Sequence, residues 1–406
     1  MLLEYTCSNY KSIKDRVLFS LLADKDISSH TPNTVLYDNK KILKSAVIYG
    51  ANGSGKTNFL NSMKFMKLLV ATSIRKQPGE GIPQLSHKLS ASNVPTVFTV
   101  QFIRHGIRYS YGFSVLHNMI DGEYLYYFPK KRLVKIFERD GMNIIPGNRY
   151  KNSFDVSQSI LKENRLFLSC AANYTNIKEI EEAFLFFVED VVIYDNNEND
   201  WTGSSIHLMR ENKVIKHKFI SLLQEFGTGI QNISSKTEKV KIATEPLPDE
   251  IKKFLPKVAN RITIKVDYGK FQTDLMSEES DGVQKLFELL CPILDILAKD
   301  KVLICDELEN SLHEILVAHI IKLFHDNESK AQLIFSTHDT SLLSNNIFRR
   351  DQIWFTQLTQ DRATDLYSLI EIKNIDNLEN LEKGYISGKY GAIPFLNISS
   401  ISKLEK

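Results

Sequence analysis

The residues best suited to chemistry lie in one glycine-rich stretch near the start of the chain. Gly50, Gly55, Lys56 and Thr57 fit the pattern G-x-x-x-x-G-K-[ST]. Glycine allows backbone angles that are closed to other residues, so successive amide groups can point at an anionic ligand. The lysine ammonium suits the β- and γ-phosphates of a nucleotide, and the adjacent hydroxyl suits Mg²⁺. The spacing therefore predicts a phosphate-binding loop.

The flanking residues supply the elements that such a loop needs. An apolar run at 46–49 precedes it, and a segment with helical periodicity follows it to about residue 70. A helix N-terminus and its dipole favour a phosphate at this place. The predicted nucleotide-binding residues here are Gly50, Asn52, Gly53, Ser54, Gly55, Lys56, Thr57 and Asn58.

Two acidic residues follow a second apolar strand much later in the chain. Residues 301–305 read KVLIC and precede Asp306 and Glu307. A carboxylate at a strand end can hold Mg²⁺ together with Thr57, and its neighbour can polarise the water that attacks a γ-phosphate. We therefore predict Asp306 as a metal ligand and Glu307 as the catalytic base.

A third apolar strand, QLIFS at 332–336, is followed closely by His338. A helical segment at 311–326 lies between this strand and the acidic pair, which predicts a β-α-β crossover and two parallel strands. His338 would then emerge at the edge of the sheet where ligands bind, and could sense or stabilise the charge of the γ-phosphate. We predict it as a second catalytic residue.

The segment SEESDGVQ at 277–284 opens an apolar helix over 285–298. Ser280 is a good N-cap, and Gly282 permits a phosphate to approach the helix N-terminus. Two interpretations stay open, a nucleotide contact or a helix cap without a ligand.

Alternation of apolar and polar residues predicts an antiparallel β layer. Residues 1–23 indicate two strands, 96–115 indicate a hairpin around His105-Gly106, and further strands are expected at 123–128 and 133–138. From about 155 to 260 the pattern becomes helical. The predicted fold is an α/β core with a mixed central sheet flanked by helices, plus the β layer and an inserted helical lobe.

The corresponding domain boundaries are 1–154, 155–260 and 261–406. The first part carries the phosphate loop and the β layer. The last part carries SEESDGVQ, the acidic pair and His338, so the lobe at 155–260 separates the two halves of one nucleotide site.

Aromatic residues are dense in the β layer, and the basic run Lys130-Lys131-Arg132 follows them. The aromatic side chains could stack on nucleic-acid bases or pack in a β core, and their strand propensity favours packing. The basic run could contact DNA phosphates, although such runs are usually solvated surface. The aromatic residues are Tyr109, Tyr111, Phe113, Tyr124, Tyr126, Tyr127 and Phe128.

Composition narrows the class of protein. The 406 residues are 43% hydrophobic and 25% charged, with a net charge of +2, which is ordinary for a globular protein. Cys7, Cys170, Cys291 and Cys305 form no C-x-x-C pair, so we predict neither a zinc site nor a disulfide framework. Because no signal-like start and no apolar stretch of about 18 residues occurs, we expect a soluble cytoplasmic protein without a membrane partner.

The order of the motifs resembles that of the ABC-class ATPases related to SMC, RecF and OLD proteins. GANGSGKT resembles Walker A, SEESDGVQ a divergent signature motif, VLICDELENSLH a Walker B strand with its D-loop, and IFSTHD the switch-histidine segment. Asn9-Tyr10-Lys11-Ser12 resembles the N-F-[RK]-S segment that opens many of these proteins. More narrowly, RRDQIWF at 349–355, GKYGAIP at 388–394 and EYLYY at 123–127 resemble RloA- and AbiL-type bacterial defence ATPases, near the ATPase subunit of the PARIS anti-phage system.

This resemblance implies an ABC-type P-loop ATPase that uses ATP and Mg²⁺ in sites closed between subunits of a homo-oligomer. Ser280 and Gly282 of one subunit would complete the pocket of another, although ESDGVQ is far from the usual LSGGQ. Lys11 would approach the nucleotide, and residues 310–313 would form the D-loop. Gln101 is a candidate for the Q-loop glutamine only through its place in the β layer.

Two functions follow as hypotheses. The first is a sensor and scaffold ATPase of an abortive-infection system, which responds to a phage-encoded trigger and controls an effector encoded nearby. No Toprim-type D-x-D cluster follows His338, so we expect nuclease activity to come from a separate partner. The alternative is a RecF- or SMC-like repair ATPase that clamps DNA as its subunits close. A small-molecule kinase fits the Asp-Glu pair and the histidine less well.

Overall fold

The computed structural model describes residues 1–25, 27, 29–195, 201–241, 258–344, 347–375 and 379–394. The chain divides into two units. The first comprises Met1–Asn197, Ile296–Asn310 and Val317–Lys406, and the second comprises Glu198–Asp295 and Ser311–Leu316.

The described strands and helices are numbered here in chain order. The strands are β1 Leu2–Ser8, β2 Val17–Ser20, β3 Thr34–Tyr37, β4 Lys40–Leu43, β5 Ser45–Gly50, β6 Thr96–Arg104, β7 Ile107–Leu116, β8 Met119–Phe128, β9 Val134–Asp140, β10 Asn143–Pro146, β11 Val191–Tyr194, β12 Asn232–Lys241, β13 Val258–Asp267, β14 Gln272–Asp274, β15 Val302–Cys305, β16 Gln332–Ser336, β17 Ile353–Leu358 and β18 Thr364–Ser368. The α-helices are α1 Lys56–Thr72, α2 Asp155–Ser159, α3 Phe167–Tyr174, α4 Lys178–Leu185, α5 Thr202–Glu211, α6 Lys213–Glu225, α7 Asp281–Ala298, α8 Glu314–Asp326, α9 Ser341–Ser344 and α10 Leu381–Ile386.

A six-stranded central sheet in the first unit has the order β11-β15-β16-β5-β17-β18. Its first five strands are parallel and β18 is antiparallel to β17. Every residue of β5, β15 and β16 is buried, as expected for parallel strands that are covered on both faces. The predicted parallel pairing of β15 with β16 is confirmed. The phosphate loop, the acidic pair and His338 therefore follow the carboxyl ends of the neighbouring strands β5, β15 and β16.

The predicted antiparallel layer is also confirmed, as a seven-stranded sheet with the order β10-β9-β8-β7-β6-β1-β2. Helix α1 packs against it, since the ring of Phe59 lies 5.9 Å from that of Tyr5 and 5.4 Å from that of Phe19. Phe19 in turn lies 4.9 Å from Trp354 of the central sheet. The apolar core of the first unit thus holds α1 in place, with the phosphate loop at the N-terminus of this helix.

The start of β17 is fixed by a buried ion pair in the segment RRDQIWF. Arg349 and Asp351 are almost completely buried, and their closest side-chain atoms lie 2.8 Å apart. Arg349 also donates to the carbonyl oxygens of Ile27 and Ser29, at 3.0 and 2.9 Å. Because a buried guanidinium is costly unless its donors are satisfied, this network specifies how β17 enters the sheet.

The lobe predicted over 155–260 is not purely helical. Helices α2 to α6 cover much of 155–225, but β11 joins the central sheet and β12 to β14 form a three-stranded antiparallel sheet in the second unit. Ile264 and Val266 alternate as buried residues on β13, and long-range pairing outweighs the local pattern there. Residues 242–257 of the predicted lobe lie outside the described residues. The domain boundaries given above stay a prediction.

No helix within the described ranges has both the length and the hydropathy needed to cross a membrane. All four cysteines are buried thiols. Burial raises the pKa of the Cys7, Cys170 and Cys291 thiols to about 12, which makes them unreactive.

Candidate functional site

The phosphate loop has the backbone that its glycines predict. Gly53 and Gly55 have φ angles of +77° and +110°, in a region that disfavours other residues. Lys56 begins helix α1, and its Nζ donates to the carbonyl oxygens of Gly50 at 2.7 Å and Ala51 at 3.3 Å. The loop therefore wraps around the Lys56 side chain, and the N-terminus of α1 follows the loop directly.

Two threonines from the antiparallel edge of the central sheet brace this loop. Thr364 Oγ1 lies 2.9 Å from the Ser54 carbonyl oxygen and 2.7 Å from Ser12 Oγ. Thr356 Oγ1 lies 2.6 Å from Ser54 Oγ. A Cβ atom on Gly55 would collide with Thr364, and one on Gly50 would collide with Thr356. Close packing therefore requires glycine at both positions, and Gly55 is also required for its positive φ angle.

Ser336, the last residue of β16, organises the acidic turn. Its hydroxyl donates to Asp306 Oδ1 and accepts the backbone N–H of Glu307 at 2.9 Å. Glu307 has a φ angle of +51°, which is unfavourable for a glutamate, and about half of its side chain is exposed. The turn thus directs the Glu307 carboxylate outward while Asp306 is held at the strand end.

His338 lies beside Glu307, with its Nε2 4.0 Å from Glu307 Oε1, and its side chain is 42% exposed. Its backbone N–H donates to Glu309 Oε1 at 2.6 Å. The other oxygen of Glu309, Oε2, is buried and has no hydrogen-bond partner in the described part of the chain. Glu309 therefore links the acidic turn to the histidine loop.

The phosphate loop, Glu307, Glu309 and His338 line one cleft of about 890 Å³ in the first unit, and Asp306 is not among the residues that line it. Burial lowers the pKa of Lys56, and the carboxylates of Asp306, Glu307 and Glu309 oppose this shift. Such a cleft offers a cation and helix amides on one side and carboxylates on the other. Its lining residues are Asn52, Gly53, Ser54, Gly55, Lys56, Thr57, Asn58, Glu307, Glu309, Asn310 and His338.

Other residues from the sequence analysis lie elsewhere. Lys11 lines a neighbouring cleft of about 630 Å³ that shares Asn58 with the first cleft. The Asn58 side-chain amide donates to Ser12 Oγ at 2.8 Å, so it supports the loop from behind. Gln101 donates to Glu4 Oε2 at 2.7 Å on the β layer and lines a third cleft. Neither Lys11 nor Gln101 contributes to the phosphate-loop cleft.

Ser280 and Gly282 belong to the second unit. Helix α7 begins at Asp281, and Ser280 Oγ accepts the backbone N–H of Val283 at 3.4 Å. The expected capping role of Ser280 is confirmed. A Cβ on Gly282 would lie 3.5 Å from the Ser311 carbonyl oxygen, an ordinary contact, so packing does not require glycine there.

Sequence reasoning missed the residues that support the loop and the acidic turn. Thr356 and Thr364 lie on strands about 300 residues after the loop, and no local pattern marks them. Ser336 lies within QLIFS, and Glu309 lies within DELEN. Their positions in these motifs are the signal that could have identified them.

Comparison with known proteins agrees with this arrangement. Residues 45–344 match the family described as "AAA domain, putative AbiEii toxin, Type IV TA system", and the chain belongs to this family. The matched range contains the phosphate loop, the acidic pair and His338, and it places the chain among P-loop ATPase domains. No curated protein matches the chain.

Solved structures of SMC heads are similar at low identity. An SMC head bound to the C-winged helix domain of ScpA has 14% identity and a TM-score of 0.46, covering 90% of this chain and 97% of that one. The SMC head domain from Thermotoga maritima has 12% identity and a TM-score of 0.41, covering 90% and 98%.

Proposed function

We propose that this AAA-family protein binds ATP at its phosphate loop and hydrolyses it, with Glu307 as the catalytic base. The observation that carries the proposal is the convergence in one cleft of Lys56, an exposed carboxylate and His338. The positive φ angles of Gly53 and Gly55 support it, because they create the concave row of amides that a phosphate needs.

The residues fit a magnesium nucleotide. The Thr57 side chain is exposed at the start of α1, and Asp306 stands at the end of β15. Mg²⁺ is usually held by one or two protein oxygens together with phosphates and water, so Thr57 and Asp306 form a sufficient pair. When bound, the ion would neutralise charge on the phosphate oxygens.

Glu307 is suited to take the proton of the attacking water, since its carboxylate is exposed and is held beyond the strand end by Ser336. His338 stands 4.0 Å away and can donate to an oxygen that gains charge during hydrolysis. Glu309 positions His338 because its carboxylate accepts the backbone N–H of the histidine. Phosphoryl transfer depends mainly on such positioning and charge stabilisation.

The decisive experiment is Glu307→Gln, which keeps the shape of the side chain and removes its basicity. We expect ATP binding to stay near the parental level while single-turnover hydrolysis falls about 100- to 10,000-fold, the range for loss of a general base. Glu328→Gln, an exposed change between α8 and β16, is the matched control. Hydrolysis by Glu307→Gln at the parental rate would show that another residue is the base.

We also propose that the site is completed between subunits, with Ser280 and Gly282 of one chain facing the nucleotide of another. The order of the motifs supports this proposal, as does the position of Ser280 immediately before a long helix. ATP binding would then drive assembly of the subunits, and the rate of hydrolysis would set when they separate.

The biological role that we propose is control of a separate toxic or nucleolytic effector in bacterial anti-phage defence. The family description, which refers to an AbiEii toxin and a type IV TA system, supports this proposal, as do RRDQIWF and GKYGAIP. Co-expression with the product of the adjacent gene tests it. We expect a stable complex that changes when ATP is hydrolysed, whereas partner-free monomers in every nucleotide state would contradict this role.

A further inference from the structure

The outward face of the antiparallel layer carries a row of aromatic side chains. On β8, Leu125 and Tyr127 are buried in the core, whereas Tyr124, Tyr126 and Phe128 alternate with them and are partly exposed. Core packing therefore accounts for the inward residues only. Tyr124, Tyr126 and Phe128 are called the aromatic row below.

Small residues lie beside the two tyrosines. The cross-strand neighbour of Tyr124 is Gly112, and that of Tyr126 is Ser110. The Tyr124 ring lies directly over Gly112, since a Cβ there would come within 2.7 Å of Tyr124 Cε1. The two tyrosine rings lie 5.0 Å apart, with an angle of 27° between their planes. The two rings thus stack on each other over the small residues, and both tyrosines stay partly exposed.

Cations surround the end of the row. The Arg108 guanidinium lies 3.8 Å from the centre of the Phe128 ring, and Lys40, Lys130 and Lys131 line the adjoining cleft of about 600 Å³. Within the described ranges, Lys40, Arg108 and Lys130 form no ion pair, so their charges are available to an anion.

The acidic groups on this face are already engaged. Asp38 pairs with Lys131 at 2.7 Å, and Glu138 pairs with Lys135 at 2.9 Å and also accepts the Tyr126 hydroxyl. Glu4 accepts from Gln101, as described above. The remaining charge of the cleft is positive, which complements a phosphate backbone.

The lysine loop is also strained. Lys130 and Lys131 have φ angles of +51° and +66°, two consecutive left-handed residues that are not glycine. Such conformations are concentrated at binding and catalytic sites, because they place a side chain where ordinary geometry would not. Here they hold the lysines at the mouth of the cleft beside Phe128.

We propose that this face binds single-stranded nucleic acid, with bases stacked on Tyr124 and Tyr126 and phosphates on Arg108, Lys40 and Lys130. Aromatic residues on an open sheet with a cationic margin provide both interactions that an unpaired strand needs. A duplex keeps its bases stacked on each other and cannot use the rings. The site is separate from the ATP cleft and goes beyond the proposed function.

Fluorescence anisotropy of the full chain with labelled 12-nucleotide strands tests the proposal. Single-stranded DNA and RNA of the same mixed sequence are compared with the matching DNA duplex. We expect one or both single strands to bind more tightly than the duplex. The double variant Tyr124→Ala/Tyr126→Ala should weaken strand binding at least about tenfold, since each stacked base contributes measurably to affinity. Lys130→Ala should lower the slope of log affinity against log salt by about 0.7.

Two variants control for folding and for chemistry. Tyr126→Phe keeps the ring and should bind like the parent, and Leu18→Ala changes an exposed residue at the far edge of the same sheet. ATP hydrolysis and thermal unfolding of the double variant should match the parent, which separates this site from the ATP site. Absence of strand binding at low salt, equal binding of the duplex, or unchanged binding by the double variant would each overturn the proposal.

Discussion

The two sides of the phosphate-loop cleft are built very differently. On the binding side, Lys56 is buried and the loop is fixed by Ser12, Thr356 and Thr364. On the hydrolytic side, Glu307 and His338 are each about half exposed, and 4.0 Å separates their closest atoms. The first side is held by hydrogen bonds within the chain, whereas the second presents Glu307 and His338 to solvent.

This difference suggests a division of labour. A preformed loop can bind nucleotide without rearrangement, because its backbone is already ordered in the folded chain and loses little conformational entropy on binding. Exposed catalytic groups are weak in water, and they become effective when the site is closed and the local dielectric falls. We therefore expect binding to be a property of the single chain and hydrolysis to require a second one.

Removal of the Lys56 ammonium should lower ATP affinity more than any other single substitution on the binding side. Lys56→Ala should lower ATP affinity about 10- to 100-fold or more, because hydrogen bonds to charged groups contribute about 1.5–3 kcal/mol each. Isothermal titration calorimetry measures this directly. Lys64→Ala is the matched control, since Lys64 lies on the same helix and pairs with Asp195 instead. Equal affinity losses in the two variants would indicate a general charge effect rather than a phosphate contact.

Glu309→Leu should damage only the hydrolytic side. The substitution removes the acceptor for the His338 N–H and should reduce kcat about 10- to 100-fold through misplacement of the histidine, with little change in ATP affinity. Glu309→Gln retains an oxygen acceptor and should recover most of the rate. If Glu309→Gln were as slow as Glu309→Leu, the carboxylate charge rather than the hydrogen bond would be the important property.

Thr364→Val should have the smallest effect and should be confined to binding. It removes a hydroxyl that contacts Ser12 and Ser54, and one such hydrogen bond contributes about 1 kcal/mol. We expect ATP affinity to fall about fivefold while the rate at saturating ATP stays unchanged. A selective loss of rate at saturation would show that the brace also acts on hydrolysis.

The part of the site that could be predicted from sequence is the part encoded locally. The phosphate loop, the strand before Asp306 and the strand before His338 each depend on spacing within about ten residues, and the parallel pairing of β15 with β16 follows from the intervening helix. Thr356 and Thr364 could not be predicted, because their roles arise from strand order in the sheet. The strands β12 and β13 were missed for a similar reason, since they depend on each other for pairing.

Mixing two inactive variants tests the central claim most directly. Lys56→Ala lacks a binding side, and Ser280→Arg blocks the surface that we propose to complete the site of another chain. Each variant alone should have almost no ATPase activity although it is fully folded, and thermal unfolding checks the folding. An equal mixture should recover about a quarter of the parental ATPase rate, because half of the randomly formed pairs carry one intact site of two. A mixture as inactive as its components, or a Ser280→Arg chain that hydrolyses ATP at the parental rate, would contradict the account.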